Sequence, residues 1–167
     1  MIRIAHFGDV HIHNLQRHDE YRTQFEKIYK KLEEQKPDRI VISGDLFEKF
    51  VEISNEAKKL SSDFLKKLSS FAKVIIVPGN HDLMKKNKKR LNSVYTLVHI
   101  MNNPNIIYYG NSGFFNDEDI VWVNYSHLEK DINPWVDIPH TKDKSKIYIA
   151  LYHDPIMDSV TDTGQVF

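Results

Sequence analysis

The spacing of apolar positions changes along the chain and divides it into two parts. Ile2–Phe7 is a short, mostly apolar run that stops at Gly8 and Asp9, the pattern of a buried strand feeding a loop. From Asp19 to Glu34, Tyr21, Phe25, Ile28, Tyr29 and Leu32 recur at helical spacing with charges between them, and Pro37 stands just beyond, so an amphipathic helix is predicted. Arg39–Ser43 is β-branched and short and runs into Gly44 and Asp45, a second strand ending in an acidic loop. Ser54 is placed to cap a second helix carrying Leu60, Phe64, Leu65 and Leu68; Val74–Val77 then forms a third strand that ends at Pro78, Gly79 and Asn80. A third helix is predicted from Leu91 to Met101, stopped by Asn103 and Pro104. After it, Asn105–Tyr109, Ile120–Tyr125 and Lys146–Tyr152 read as strands between turn-rich segments. The order βαβαβα followed by a β-rich part argues an α/β chain with a largely parallel sheet covered by helices. Sites in such sheets lie beyond the carboxyl ends of the strands.

Composition narrows the picture. With 167 residues, one domain over 1–167 is expected. Lysine plus arginine number 23 and aspartate plus glutamate 23, so no global field draws the chain to nucleic acid or anionic lipid, and basic attraction has to be local. The absence of cysteine excludes disulfides, a Cys-based zinc site and a thiol nucleophile. No signal-peptide core and no run of roughly 18 apolar residues is present, so an intracellular protein without a membrane partner is expected, cytoplasmic or in the host cytoplasm of a virus.

Four polar clusters follow four of the strands: Asp9-Val10-His11, Gly44-Asp45, Gly79-Asn80-His81-Asp82 and His153-Asp154. A strand-end aspartate or histidine taken singly is more often a turn former or helix cap. Four together are harder to dismiss. An Asp-x-His pair in a loop can aim a carboxylate and an imidazole at one cation, a donor set suited to manganese, iron or zinc. Asp45, on a glycine turn, can bridge two ions with its two oxygens, leaving Asn80 and His153 for the second.

In this order the clusters resemble the calcineurin-like metallophosphoesterases, whose pattern is D-x-H, G-D-x-x, G-N-H-D/E, a later H and then G-H-x-H. Within that superfamily the chain is most similar to DNA-repair nucleases of the SbcD type, including viral and phage-like members, through FGDVHIHNLQRHDEYRTQFEKIY, VISGDLF, IIVPGNHDLMKKN and IALYHDPI with TDTG. The resemblance implies the family's sandwich of sheets flanked by helices. It implies that Asp9 and His11 bind a first metal, that Asp45 bridges, that Asn80 and His153 bind a second, and that His81 is catalytic with Asp82 fixing its orientation. Two divalent ions, manganese by the SbcD-type likeness, would activate a water for attack on phosphorus while protonated His81 donates to the departing sugar oxygen. DNA is the implied substrate in repair or recombination; an SMC-like ATPase and a second copy of the chain are the implied protein partners.

The chain departs from that pattern in places. The last motif, G-H-x-H, is not found after His153, so an architecture incomplete at the carboxyl terminus and weak metal binding by this chain alone are expected. His127 and His140 come too early to replace it and read as surface or loop histidines. His13, two residues after His11, points to the same side and is at most an extra ligand; Asp154 reads as a carboxylate orienting His153.

Lys85, Lys86, Lys88, Lys89 and Arg90 put five cations in six positions after Asp82, readable as a phosphate-backbone clamp or as a solvated loop. Lys58, Lys59, Lys66 and Lys67 read as the solvated face of their helix, and Trp122 and Trp135 as core. Two other functions stay open on the same residues: a phosphatase or diesterase for another phosphoester, and a non-catalytic or split subunit without a complete metal site.

Overall fold

The computed structural model describes residues 1–49, 53–84, 87, 90–154, 160 and 164. Four parallel strands, β1 (Ile4–Phe7), β2 (Arg39–Ser43), β3 (Lys73–Val77) and β4 (Ile106–Tyr108), lie side by side in chain order. They are connected by α1 (His18–Gln35), α2 (Asn55–Leu68) and α3 (Ser93–Met101). A second sheet has the order β5 (Gly113–Asp117), β6 (Ile120–Tyr125), β7 (Ile147–Tyr152), with β5 and β6 antiparallel and β6 and β7 parallel. A single 3-10 turn, His127–Glu129, and a short helix, α4 (Pro134–Asp137), fill the connection from β6 to β7. The α/β sandwich expected from the sequence is what the chain builds, with the helices on one face of the parallel sheet and the second sheet on the other.

Alternation along β2 and β3 explains the layering. Ile40, Ile42, Val74 and Ile76 point into a core shared with Phe25, Leu32, Phe64 and Leu65 of the helices. Val41, Ile75 and Val77 point the opposite way, into a core with Ile120, Trp122 and Leu151 of the second sheet. Apolar residues on both faces are what a strand covered on both sides requires. Ser54 caps α2 by accepting a bond from the Ala57 amide at 3.1 Å, and Asn92 caps α3 through the Tyr95 amide at 2.7 Å. The third helix therefore begins at Ser93; Leu91, expected inside it, precedes the cap and is exposed.

Three sequence expectations are corrected here. β5 was not anticipated: its GFFND pattern is short, and it closes against β6 only through a tight turn with Glu118 at φ 54°. Trp122 is fully buried as expected, but Trp135 is 44% exposed because α4 offers its indole to the outer face of the second sheet. His127 is not a surface residue. Ser126 caps the 3-10 turn and directs the imidazole inward, where only 10% of the side chain is exposed.

Candidate metal centre

Each loop of the site leaves a strand at its carboxyl end and turns sharply. Asp9, His11 and Asp45 have left-handed backbones, with φ of 53°, 47° and 52°. Aspartate tolerates that region better than most residues, and such strain persists only where the surroundings impose it. Two things impose it here. The loops after β1 and β2 are tied by His11 N–H to the Asp45 carbonyl and Ile12 N–H to the Leu46 carbonyl, both at 2.9 Å. The loops after β2 and β3 also approach so closely that a Cβ on Gly79 would lie 2.1 Å from Asp45 Oδ1, and the end of β7 presses on the β2 loop so that a Cβ on Gly44 would lie 2.3 Å from His153 Nδ1.

Asp45 is central. Its side chain is 3% exposed, and Oδ1 accepts from the His81 amide at 2.8 Å. Oδ2 lies 3.6 Å from His11 Nε2 on one side and 3.2 Å from His153 Nε2 on the other. His11 Nε2 is also 3.5 Å from Asp9 Oδ1, and His153 Nε2 is 3.2 Å from Asn80 Oδ1. The structure thus brings Asp9, His11, Asn80 and His153 around Asp45, with His11 and His153 on either side of its Oδ2. Burial pushes the Asp45 carboxyl up, but the bond from His153 and the His81 amide outweigh it and hold it below the usual range. Its bond to Asp45, working against burial, lifts His153 to about 9, with Nδ1 donating to the Ser43 carbonyl at 2.7 Å.

The residues fit a pair of cations. Among the described residues, two groups can each point their donor atoms at one ion: Asp9, Asp45 and His153, and His11, Glu48 and His81. His11 Nδ1 is buried with no aligned hydrogen-bond partner, 3.0 Å from Glu48 Oε2, as an imidazole nitrogen stands when a cation is its intended partner. The mixed imidazole, carboxylate and amide donors suit first-row divalent ions.

Glu48 is the residue that sequence reading missed. It follows Gly44-Asp45-Leu46-Phe47 directly, and an acidic residue in the same loop as the bridging aspartate was the available signal. Its carbonyl accepts from His81 Nδ1 at 2.7 Å, so Nε2 is the ring nitrogen left to exchange a proton. The rings of His81 and His11 meet edge to face at 4.9 Å.

Asp82 does not touch the His81 ring. It is fully buried and accepts from the backbone amides of Gly79 at 3.0 Å, Phe47 at 3.1 Å and Leu46 at 3.4 Å. Burial pushes its carboxyl up to about 6, and the amide bonds oppose that rise. Asp82 is therefore a positioning residue that staples the β2 loop to the β3 loop; the orienting group for His81 is the Glu48 carbonyl. Asp154 likewise pairs with His127 Nδ1 at 3.2 Å and with Lys130, rather than orienting His153. His13 packs its ring near Tyr21 and joins neither ligand group, and His140 is exposed and stacks on Phe114.

Asp9, Asp45, Asn80 and His153 open on a cleft of about 400 Å³ that His6 and Tyr152 also border. A cavity of about 640 Å³ between β1 and α1 is larger, but beside Ile4, Phe7, Ile28 and Leu32 its lining holds a single histidine, His6, and no carboxylate. Of the basic run, Lys85, Lys86, Lys88 and Lys89 lie outside the described residues. Arg90 is exposed and borders a groove between α2 and α3 with Lys58 and Lys59. Lys59 pairs with Asp63, and Lys67 lies over the ring of Phe71, in keeping with a solvated helix face.

Comparison with known proteins decides the family. The pattern of the family described as Calcineurin-like phosphoesterase matches residues 2–160. The chain is a calcineurin-like phosphoesterase. Metal-dependent hydrolysis of phosphoesters is the chemistry of this family. Uncharacterized protein R555 of Acanthamoeba polyphaga mimivirus is 35% identical over 173 residues, covering 96% of this chain and 13% of its own length. The phosphoesterase thus spans about an eighth of that relative. The crystal structure of Pseudomonas putida nuclease MPE superposes over 89% of this chain and 59% of its own, with 15% identity and a TM-score of 0.42. No helix among the described residues is long and apolar enough to cross a membrane.

Proposed function

We propose that this phosphoesterase hydrolyses phosphodiester bonds in DNA. The observation that carries the reading is the position of Asp45 Oδ2 between His11 Nε2 and His153 Nε2, one carboxylate standing between a histidine of each ligand group. Asp9, Asp45, Asn80 and His153, with His11 and Glu48, would hold divalent ions, which would supply a more acidic water and offset the charge of a phosphate. The chain's own groups supply the rest. Asp9, 68% exposed, borders the cleft. His81, held through Nδ1 by the Glu48 carbonyl, presents Nε2; once protonated it donates to the departing sugar oxygen, a step worth typically 10²–10⁴-fold. Asp82 fixes the two loops that carry Asp45 and Asn80.

DNA as the substrate is supported by the sequence likeness to SbcD-type repair nucleases around each motif. The same likeness favours manganese as the ion and repair or recombination as the setting. The test is manganese-dependent cleavage of labelled single-stranded and duplex DNA, alongside a small chromogenic diester and a monoester. Cleavage of DNA and of the diester, both lost in His81→Ala, is the expected result. Hydrolysis of the monoester alone would replace the DNA reading with a phosphatase. No hydrolysis of any of them would favour a binding or split subunit.

A further inference from the structure

The outer face of the second sheet carries aromatic side chains that its core does not use. Along β7, Ile149 and Leu151 enter the core between the sheets, so Tyr148, Ala150 and Tyr152 face the other way. Above Tyr148, the Trp135 indole of α4 lies 5.6 Å from its ring, and Phe114 stacks on His140 at 3.9 Å with Trp135 edge-on to it at 4.9 Å. Lys142 Nζ lies 5.8 Å from the Trp135 ring and 5.5 Å from the Tyr148 ring.

Two features separate this cluster from ordinary packing. Trp122 shows what this sheet does with a core tryptophan, burying it completely, whereas Trp135 stays 44% exposed. At the other end of the same strand face, Tyr152 is 49% exposed and borders the cleft that holds Asp9, Asp45, Asn80 and His153. Tyr148 and Tyr152 are separated by four strand steps, about 13 Å. Aromatic faces thus run from α4 along β7 to the edge of the metal centre.

The charge beside them is positive by one over residues 134–148, three lysines against Asp137 and Asp143. Lys142, Lys144 and Lys146 fall within five positions, and the intervening Asp143 carboxylate is engaged by the Ser145 hydroxyl and amide. Exposed rings bordered by cations match the chemistry of a single polynucleotide strand: bases stack on π-faces whatever their sequence, and lysines meet the phosphates.

We propose, resting on the DNA reading above, that the outer face of the second sheet binds single-stranded DNA. Bases stack on Trp135 at the far end and on Tyr152 at the cleft, and Lys142 meets the backbone between them. The face feeds the strand to the ligand cluster from the side of β7.

The experiment reads binding without hydrolysis. Because Trp122 is buried, quenching of tryptophan fluorescence by oligothymidine in the presence of a chelator reports on Trp135. We expect quenching, and anisotropy of a labelled oligonucleotide should show Trp135→Ala binding about five- to a hundredfold more weakly. Trp135→Phe should keep most of the affinity. Lys142→Ala, on an exposed side chain whose removal leaves the fold intact, should weaken binding and flatten its salt dependence. Wild-type affinity in both Trp135→Ala and Lys142→Ala, in a protein that still cleaves DNA, would overturn the track and leave the DNA reading standing. A wild-type protein that neither binds nor cleaves DNA would remove both. A tryptophan signal that follows protein concentration instead of oligonucleotide would assign this face to self-association and overturn the proposal.

Discussion

Arg39 Nε lies 2.6 Å from Asp117 Oδ2, joining the first residue of β2 to the last of β5 and so one sheet to the other. Lys73 Nζ reaches Asp117 Oδ1 at 2.5 Å, and the Trp122 indole donates to Oδ2 at 3.1 Å. This joint sits at the amino-terminal ends of β2 and β3, opposite the metal centre. Asp117→Ala leaves Arg39 and Lys73 only the 73% exposed Glu118 carboxylate, at 3.1 Å and 3.9 Å, in place of a buried anion. We expect a loss of about 3 kcal/mol in urea unfolding, with the ligand cluster unchanged.

The same joint sets an acid limit. Burial pushes Asp117 up, but its bonds from Arg39, Lys73 and Trp122 prevail and bring it down to about 2. The folded value lies below the unfolded one of about 3.9, so the stabilisation is present above pH ~4 and is lost as pH falls toward ~2. Asp117→Asn should flatten the fall in stability across that window; an unchanged slope would show that the pair is not what fails in acid.

Asp45→Asn tests the shared carboxylate. The amide keeps the shape but supplies one weak donor oxygen where two cations are to be held. Calorimetric titration with manganese should show both binding events weakened, and diester hydrolysis should fall on the order of a thousandfold, the rate equivalent of about 4 kcal/mol. Loss of only one event would confine Asp45 to a single ion.

Gly79→Ala tests the close approach. The new methyl would stand 2.1 Å from Asp45 Oδ1 and 2.5 Å from Asp45 N, so either the β2 loop or the β3 loop has to move. Metal binding should fall with only a modest change in melting temperature. A melting loss as large as that of Asp82→Ala, which leaves three buried amides unpaired at about 1–3 kcal/mol each, would place the effect in the fold as a whole.

His81 is separable from the ligands by leaving group. His81→Gln should slow cleavage of DNA, whose sugar oxygen needs a proton to depart, far more than it slows release of nitrophenolate from a chromogenic diester. Equal losses on both substrates would assign His81 to ion binding.

Much of this was legible in the chain because its strands are short and their ends are chemically marked. Arg39–Ser43 and Ile120–Tyr125 were bounded correctly by their apolar runs, and Asp9, Asp45, Asn80 and His153 were visible as polar residues where such runs stop. What stayed hidden depends on where a loop turns next. Nothing in the local pattern says that His81 Nδ1 donates its hydrogen bond to the Glu48 carbonyl and not to Asp82, since both lie near it in sequence or space. His127 reads as a loop residue until the cap at Ser126 is known, and Trp135 reads as core until α4 is placed on the outer face.

The division into two sheets makes the two cation pockets mechanically unequal. His11, Glu48 and His81 all ride on loops of the parallel sheet, whereas His153 reaches Asp45 from the end of β7. A sliding motion of one layer over the other would therefore stretch one pocket and spare its neighbour. Sub-denaturing urea should release the ion near His153 first, turning a paired titration into two well-spaced steps; simultaneous loss of both would mean that the layers move as a single rigid block.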